Sequence, residues 1–153
     1  MHLYLFRHAH AEEGSRDALR PLSPKGLRQV RVMGQWLRDA RAVEAAEIWH
    51  SPLRRAAETA ALLSRRLRLK VPLVEVTGLK PQDDPEVILR RLKLTENPVA
   101  LVGHDPHLSA LASLLVAGAA HPPRFRLKKC AAMRLDLSGE GWCVRWQISP
   151  ELL

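Results

Sequence analysis

Cysteine, aromatic residues and long apolar runs are all scarce in this sequence, and each scarcity excludes a class of protein. Only Cys130 and Cys143 are present among 153 residues, so a disulfide framework is excluded and we expect both thiols to be small buried side chains. No segment approaches the roughly 18 consecutive apolar residues of a membrane span, and the first residues lack the pattern of a secretory signal. We therefore expect a cytoplasmic protein without membrane association.

Acidic residues are also in deficit. Lys and Arg number 24 against 16 Asp and Glu, which gives a net charge of +8 and predicts attraction to anions. Phosphorylated proteins, small phosphorylated molecules and nucleic acids are the candidate partners. Nucleic acid is the least favoured, because one Tyr and two Phe offer few rings on which bases could stack. We expect no nucleic-acid partner.

The remaining composition, 46% apolar and 26% charged, is that of a globular protein. No repeat, low-complexity block or flexible linker divides the chain, so we predict a single domain over 1–153. Four short apolar or β-rich runs alternate with segments of helical periodicity, at 3–6, 47–50, 73–76 and 99–102. This alternation predicts an α/β fold, with a mainly parallel sheet between two layers of helices.

Helix starts and the end of the chain carry further local signals. A capping residue followed by Pro precedes each of four predicted helices, at Ser23-Pro24, Ser51-Pro52, Asp84-Pro85 and Asp105-Pro106. The first residue can accept hydrogen bonds from free amide groups, and Pro is tolerated at the first helical position. Strand-like segments at 130–137 and 141–148, joined by SGEG, predict a C-terminal β-hairpin partly at a sheet edge.

Polar residues follow three of the predicted strands. Arg7 and His8 follow the first strand, Arg55 lies one turn into the helix after the second, and His104 follows the fourth. Ligands of parallel sheets bind beyond the carboxyl ends of the strands, so we expect these four side chains to converge on one pocket. Guanidinium groups match phosphate oxygens. The pattern therefore predicts phosphate chemistry.

A metal-dependent hydrolase is the competing enzymatic interpretation. The segments HAH at 8–10 and HDPH at 104–107 contain nitrogen and oxygen ligands. Against it, Arg7 would repel a cation, and Asp105 is already predicted to cap a helix. We expect neither a metal nor a cofactor, and we expect His10 and His107 to be local hydrogen-bonding or surface residues.

Three motifs resemble the histidine phosphatase superfamily: RHAH at 7–10, a variant of its RHG motif, SPLRRAAET at 51–59, and VGHDPHL at 102–108. The small SixA-like phosphohistidine phosphatases are similar in length, begin with M-x-x-x-x-x-R-H and end near W-x-x-S-P, here WQISP at 146–150. The resemblance covers nearly the whole chain. It implies a phosphoglycerate mutase-like fold and a cofactor-independent phosphatase.

The resemblance also implies roles for individual residues. His8 matches the nucleophile, Arg7 and Arg55 match the phosphate-binding arginines, and His104 matches the second histidine of the pocket. Arg54 does not match the motif and is predicted to be a solvated helix cation. The implied substrate is phosphohistidine in a protein, for example a histidine phosphotransfer domain, with small phosphate esters as the alternative. We expect the enzyme to be a monomer.

The proton donor for the leaving group stays open. Larger members of the family place an acidic residue in an insertion over the pocket, and this short chain has little room for one. Glu12, Glu13, Asp83 and Asp84 lie in predicted loops and are candidates, although Asp84 can instead cap the next helix. A protonated phosphoimidazole departs as a neutral ring, which favours phosphohistidine over sugar phosphates as the substrate.

Overall fold

The computed structural model describes residues 1–153. Its six strands are β1 His2–Arg7, β2 Glu47–His50, β3 Leu73–Glu75, β4 Val99–Gly103, β5 Ala132–Ser138 and β6 Gly141–Ile148. Its four α-helices are α1 Pro24–Asp39, α2 Arg54–Leu67, α3 Pro85–Leu92 and α4 His107–Ala117. Short 3₁₀ helices span Asp17–Leu19 and Pro150–Leu152.

All six strands belong to one sheet, in the order β3-β2-β4-β1-β5-β6. The first four strands are mutually parallel where they pair, whereas β5 runs antiparallel to β1 and β6 antiparallel to β5. The predicted parallel sheet and the C-terminal hairpin are confirmed. Arg7 at the end of β1 pairs with Gly103 at the end of β4, so the segments that follow both strands leave the sheet at the same edge.

Helices cover both faces of the sheet, as the sequence predicts. Successive side chains of a strand point to opposite faces, and β1 accordingly contributes to two separate cores. The core that includes residues of α3 and α4 contains Leu3, Leu5, Leu92, Leu101, Leu108 and Leu111. The core that includes residues of α1 and α2 contains Tyr4, Phe6, Met33, Ala56, Leu63 and Val102. Burial on both sides holds the central strands rigidly, and the candidate site lies at their ends.

Two of the four predicted helix caps are confirmed, and two differ. Ser23 accepts a hydrogen bond from the Gly26 amide, and Asp84 accepts one from the Glu86 amide. Ser51 does not occupy the cap position of α2, because that helix begins at Arg54. Ser51 instead accepts from the Leu53 amide at 3.2 Å in the turn that connects β2 to α2.

Asp105 also lies outside the formal cap position, although its carboxylate still caps the helix. Helix α4 begins at His107, so Asp105 lies before its cap position. The Asp105 carboxylate accepts hydrogen bonds from the amides of Ser109 at 3.2 Å and Leu127 at 3.1 Å. The bond from Ser109 caps the first turn of α4, as predicted. The bond from Leu127 connects that turn to the segment that precedes β5, a contact that no local sequence pattern signals.

Helix α4 is apolar and its first seven residues are all buried, as predicted. It has 11 residues and ends at Gly118, whose φ of 80° is the left-handed conformation that glycine adopts without steric cost. None of the helices is both long and apolar enough to cross a lipid bilayer.

The two cysteines differ in environment. Cys130 is buried, and its burial raises the pKa of the thiol to about 12. Cys143 is exposed, so the prediction of two buried thiols is wrong for this residue. The reason is its place on β6, which is the edge strand and whose middle residues face solvent.

Candidate active site

His8 lies just beyond the carboxyl end of β1 and is held by its backbone on two sides. Its amide donates to the carbonyl of Gly103 at 2.8 Å, and its carbonyl accepts from the amide of Cys130 at 3.1 Å. The side chain is only 3% exposed. The end of β4 and the segment before β5 therefore fix the position of the His8 ring.

The hydrogen bonds of His8 define which ring nitrogen is reactive. Nδ1 lies 2.7 Å from the carbonyl oxygen of Ala9, and a carbonyl can only accept, so Nδ1 carries the proton of the neutral ring. Burial, followed by the charge of Lys129, lowers the pKa of His8 to about 2. The ring is consequently neutral at physiological pH, with the lone pair on Nε2.

His104 follows β4 and packs beside His8. The two ring centroids are 4.9 Å apart and the ring planes are inclined at 55°. Nε2 of His104 lies 2.8 Å from Oγ of Ser51. Burial, followed by the charge of Arg55, lowers the pKa of His104 to about 3. If the Ser51 hydroxyl donates to Nε2, the proton of the neutral ring is on Nδ1, which is buried without a hydrogen-bond partner.

Arg55 lies in the first turn of α2, and its guanidinium is near His8 and His104. It is 5% exposed, and its charge acts on both His8 and His104. The guanidinium donates to the Asp17 carbonyl at 3.0 Å and to Oδ2 of Asp17 at 3.3 Å. Asp17 thus orients Arg55 from the short 3₁₀ helix before α1, a positioning role that the sequence did not reveal.

Arg7 is the last residue of β1 and directly precedes His8. One of its terminal nitrogens donates to the carbonyl of Leu127 at 2.7 Å, and its Nε is buried without a partner. Burial lowers the pKa of Arg7, and the charge of Asp105 opposes that change. The guanidinium therefore lies over the segment that leads into β5.

Lys129 is the residue of the site that sequence reasoning missed. Its Nζ lies 3.4 Å from Nε2 of His8. Burial, followed by the charges of Arg7 and Arg55, lowers the pKa of Lys129 to about 8. No motif marks this lysine, and the one available signal is a basic pair placed directly before the apolar segment at 130–133.

Known proteins resemble this chain in both sequence and fold. Residues 3–82 match the family model described as histidine phosphatase superfamily (branch 1). The chain is 30% identical over 155 residues to phosphohistidine phosphatase SixA of Escherichia coli strain K12, with 98% of this chain and 94% of that protein covered. This chain belongs to the histidine phosphatase superfamily.

Solved structures place the chain within the same fold. The protein histidine phosphatase SixA complexed with tungstate matches with a TM-score of 0.88 and 26% identity, covering 99% of both chains. The alpha-ribazole phosphatase of Shigella flexneri matches with a TM-score of 0.81 over 98% of this chain and 97% of that one. Its identity is 19%, so this second likeness shows only the fold. The resemblance to SixA-like members of the superfamily is confirmed.

Arg54 and His10, the polar neighbours of the matched residues, have local partners. Arg54 is on the exposed side of α2 and pairs with Glu58 at 2.6 Å, as the spacing predicts. His10 hydrogen-bonds through Nδ1 to Oγ of Ser23 at 2.6 Å, also as predicted.

His107 differs from its prediction as a hydrogen-bonding or surface residue. It is 1% exposed, and neither ring nitrogen has a hydrogen-bond partner at normal distance. Burial lowers the pKa of His107, although the charges of Asp83 and Asp84 oppose that change. The helix α4 that carries this ring is itself enclosed, which explains why the ring does not reach solvent.

None of the four candidate proton donors hydrogen-bonds to Arg7, His8, Arg55 or His104. Asp84 caps α3, and Oδ2 of Asp83 accepts from the Lys80 amide at 2.9 Å. Glu12 and Glu13 are exposed. The carboxylate that contacts a guanidinium of the site is instead that of Asp17, which is paired with Arg55.

The two segments considered for metal binding do not form a ligand set. His10 is committed to Ser23, and Asp105 to Ser109 and Leu127. No group of three or more His, Cys, Asp and Glu side chains in the chain is arranged to hold a metal ion.

The low pKa values of His8 and His104 predict that the folded protein loses stability in acid. Unfolding restores an ordinary histidine pKa of about 6.5, so below that pH the unfolded chain binds protons that the native chain excludes. Each histidine should then lower the free energy of unfolding by about 1.4 kcal/mol per pH unit. Urea unfolding of the wild type at pH 7.5 and 4.5 measures the total loss.

The variant His104→Gln isolates the contribution of His104. It should lose less stability than the wild type over the same pH interval, because one group that titrates only in the unfolded state is gone. An identical pH dependence in the variant would mean that His104 takes up a proton in the folded protein.

Proposed function

We propose that this protein removes phosphate from phosphohistidine in a protein, through a covalent intermediate on His8 and without a cofactor. The observation that carries the proposal is the neutral His8 ring, whose unprotonated Nε2 lies beside the Lys129 ammonium group and close enough to Arg55 for its charge to act on the ring. Similarity to phosphohistidine phosphatase SixA over nearly the whole chain supports the substrate. A histidine phosphotransfer domain is the proposed type of partner.

In the first step, Nε2 of His8 attacks phosphorus. The new bond joins Nε2 to phosphorus, and the bond from phosphorus to the substrate imidazole breaks with its electron pair leaving on the imidazole nitrogen. When the substrate ring is protonated on its other nitrogen, it departs as a neutral imidazole. The hydrogen bond from Nδ1 to the Ala9 carbonyl stabilises the positive charge that the His8 ring acquires on phosphorylation.

Arg7, Arg55 and His104 hold the equatorial oxygens during this transfer. Phosphoryl transfer is accelerated chiefly by positioning and by neutralisation of spread charge. Asp17 and Ser51 do not touch the phosphate in this proposal. They position Arg55 and His104 respectively, through the contacts at 3.0 Å and 2.8 Å described above.

In the second step, water attacks the phosphorus of phosphorylated His8. The oxygen of water forms the new bond, Nε2 recovers its electron pair, and dihydrogen phosphate leaves. The His8 ring is again neutral, with its proton on Nδ1 and its lone pair on Nε2. No residue other than His8 changes its covalent state.

The chemistry of the leaving group favours a phosphoramidate over an alkyl phosphate. An alkoxide needs a proton as it departs. None of the loop carboxyls of Glu12, Glu13, Asp83 and Asp84 hydrogen-bonds to His8 or His104. A protonated phosphoimidazole needs no such donor. Small phosphate esters are the alternative substrates, and the monomeric state and cytoplasmic location expected from the sequence belong to the same proposal.

A comparison of substrates in the presence of a chelator tests the proposed function. The substrates are a phosphohistidine-bearing phosphotransfer domain, free phosphoramidate and a set of alkyl phosphates that includes sugar phosphates. We expect the highest kcat/KM with the phosphohistidine protein and no loss on chelation. A strong preference for a sugar phosphate would overturn the substrate while retaining the His8 mechanism, and loss of activity on chelation would contradict the cofactor-independent chemistry.

A further inference from the structure

We propose that Lys129 is a catalytic residue of this site, whose ammonium group binds an equatorial oxygen of the phosphoryl group during its transfer to His8. The inference deepens the proposed function and rests on it. No motif of the superfamily in this sequence includes Lys129. Its position beside His8, the cations around it and its lack of a counterion support this role.

Hydrogen bonds connect the backbone around Lys129 to Arg7 and His8. Arg7 donates from its side chain to the Leu127 carbonyl at 2.7 Å and from its amide to the Ala131 carbonyl at 3.1 Å. The Cys130 amide donates to the His8 carbonyl at 3.1 Å. Residues on both sides of Lys129 are therefore anchored to Arg7 and His8, and its side chain starts from a fixed point.

A left-handed turn directs the chain at this position. Cys130 has a φ of 59°, a conformation that costs energy for a residue other than glycine. The Ala131 amide closes the turn on the Lys128 carbonyl at 2.9 Å. The buried Cys130 side chain packs in the core that includes residues of α1 and α2 and so anchors the turn. The position of Lys129 next to His8 is therefore fixed by the fold.

The distance to His8 distinguishes between two possible tasks. In an in-line displacement, the leaving group departs on the side of phosphorus opposite the nucleophile, and the three equatorial oxygens surround the line between them. Nζ of Lys129 lies 3.4 Å from the nucleophilic Nε2. It is therefore on the nucleophile's side, where it reaches an equatorial oxygen rather than the leaving group.

The charges around Lys129 fit an anion that the chain itself does not provide. Arg7, Arg20 and Arg55 face it with positive charge, and Asp105 is the negative group that opposes them. Asp105 forms no ion pair with it, since its carboxylate is hydrogen-bonded to Ser109 and Leu127. A half-buried ammonium group without an ion-pair partner is costly, and a phosphate dianion would compensate it.

The neighbouring Lys128 shows the contrast. Its side chain is exposed and forms an ion pair with Glu151. The ammonium group of Lys129, in contrast, has His8 Nε2 as its hydrogen-bond partner. The two adjacent lysines therefore differ: Lys128 forms an ion pair at the surface, whereas Lys129 lies beside His8.

The hydrogen bond between Lys129 and His8 must break before His8 can attack phosphorus. Without substrate, Lys129 donates a hydrogen bond to the lone pair of Nε2, which is the pair that must attack phosphorus. Binding of phosphate moves that donor from Nε2 to an oxygen and frees the nucleophile. The ammonium group therefore covers His8 in the resting enzyme and stabilises the phosphoryl group in the transition state.

The test uses Lys129→Met, Lys129→Arg and the matched control Lys128→Met in the full-length chain. We expect Lys129→Met to lower kcat/KM by about 10²- to 10³-fold at pH 7, the usual effect of removing one preorganised donor. Lys128→Met should retain wild-type activity. Lys129→Arg should restore most of the activity, since a guanidinium also binds phosphate.

The pH profile separates a catalytic role from a structural one. kcat/KM reports ionisations of the free enzyme, and Lys129 must be protonated to bind phosphate. Because its pKa is lowered to about 8, wild-type kcat/KM should fall as the pH rises above that value. The fall should disappear in Lys129→Arg, because arginine stays protonated throughout this range. An unchanged alkaline fall in Lys129→Arg, or near wild-type activity in Lys129→Met, would overturn the proposal.

Binding of inorganic phosphate, measured by calorimetry at pH 7, separates this proposal from the proposed function. We expect Lys129→Met to bind phosphate at least about 10-fold more weakly than the wild type and Lys128→Met, in line with the loss of a charge-assisted hydrogen bond. Equal affinity in all three proteins would refute phosphate binding by Lys129. Weakened binding in Lys129→Met, together with no turnover of phosphohistidine by the wild type, would contradict only the substrate assignment.

Discussion

His8→Ala should abolish the phosphorylated enzyme and reduce turnover by at least about 10⁴-fold, as loss of a covalent nucleophile does elsewhere. The reason is that the unprotonated Nε2 of His8 is the proposed attacking atom. A single-turnover experiment with a substrate labelled in its phosphate measures the effect directly. The label should appear on the wild-type chain in a form that is stable to base and lost in acid, as expected for phosphohistidine.

The control for this experiment is His10→Ala, because His10 stands two residues further along the chain and hydrogen-bonds to Ser23 rather than facing His8. This variant should still acquire the label. Undiminished labelling of His8→Ala would refute the assignment of the nucleophile. Labelling that is lost from both variants, with the fold intact by circular dichroism, would contradict the separate roles given to the two histidines.

Arg55→Ala should lower kcat by about 10²- to 10³-fold, equivalent to roughly 3 to 4 kcal/mol of transition-state stabilisation. Its guanidinium is 5% exposed and is oriented by Asp17, so it is preorganised before substrate arrives. Loss of the charge should also raise the pKa of His104, because Arg55 is the main charged group that lowers it. Steady-state kinetics and a titration of the His104 ring by NMR measure the two effects.

Arg54→Ala is the matched control, since it removes the same functional group from the adjacent position. Arg54 pairs with Glu58 on the exposed face of α2, and exposed pairs of this kind contribute at most about 1 kcal/mol to stability. Turnover of Arg54→Ala should therefore stay near the wild-type value. Near wild-type turnover in Arg55→Ala would remove Arg55 from the site, and an equal loss in both variants would point to damage to α2 instead.

Two residues outside the proposed reactive set orient members of that set: Ser51 orients His104, and Asp17 orients Arg55. Ser51 was predicted to cap α2, and it contacts His104 instead. Asp17 carried no motif, and it binds Arg55 through both its backbone and its carboxylate. Both residues act through another residue. Ser51 lies within the superfamily motif at 51–59 without any sign in the sequence of its contact to His104, and none of the three motifs includes Asp17.

Local patterns were sufficient for much of the architecture. Apolar runs separated by helical segments predicted the parallel strands, and the turn at 138–141 predicted the terminal hairpin. These predictions succeeded because strand and helix periodicity are properties of neighbouring residues. The predictions for Ser51 and Cys143 failed. Ser51 does not cap α2, because that helix begins at Arg54, and Cys143 is exposed, because it lies on the edge strand β6.

The sequence by itself determined the α/β fold, and it predicts that Arg7, His8, Arg55 and His104 converge, because parallel strands bring the residues after their carboxyl ends to one edge. Only the tertiary structure revealed the partners that complete the site. Lys129 is 121 positions from His8, Ser51 is 53 from His104, and Asp17 is 38 from Arg55. Contacts across such separations leave no local pattern. The neutral state of His8 likewise follows from burial and neighbouring charge, and both exist only in the folded chain.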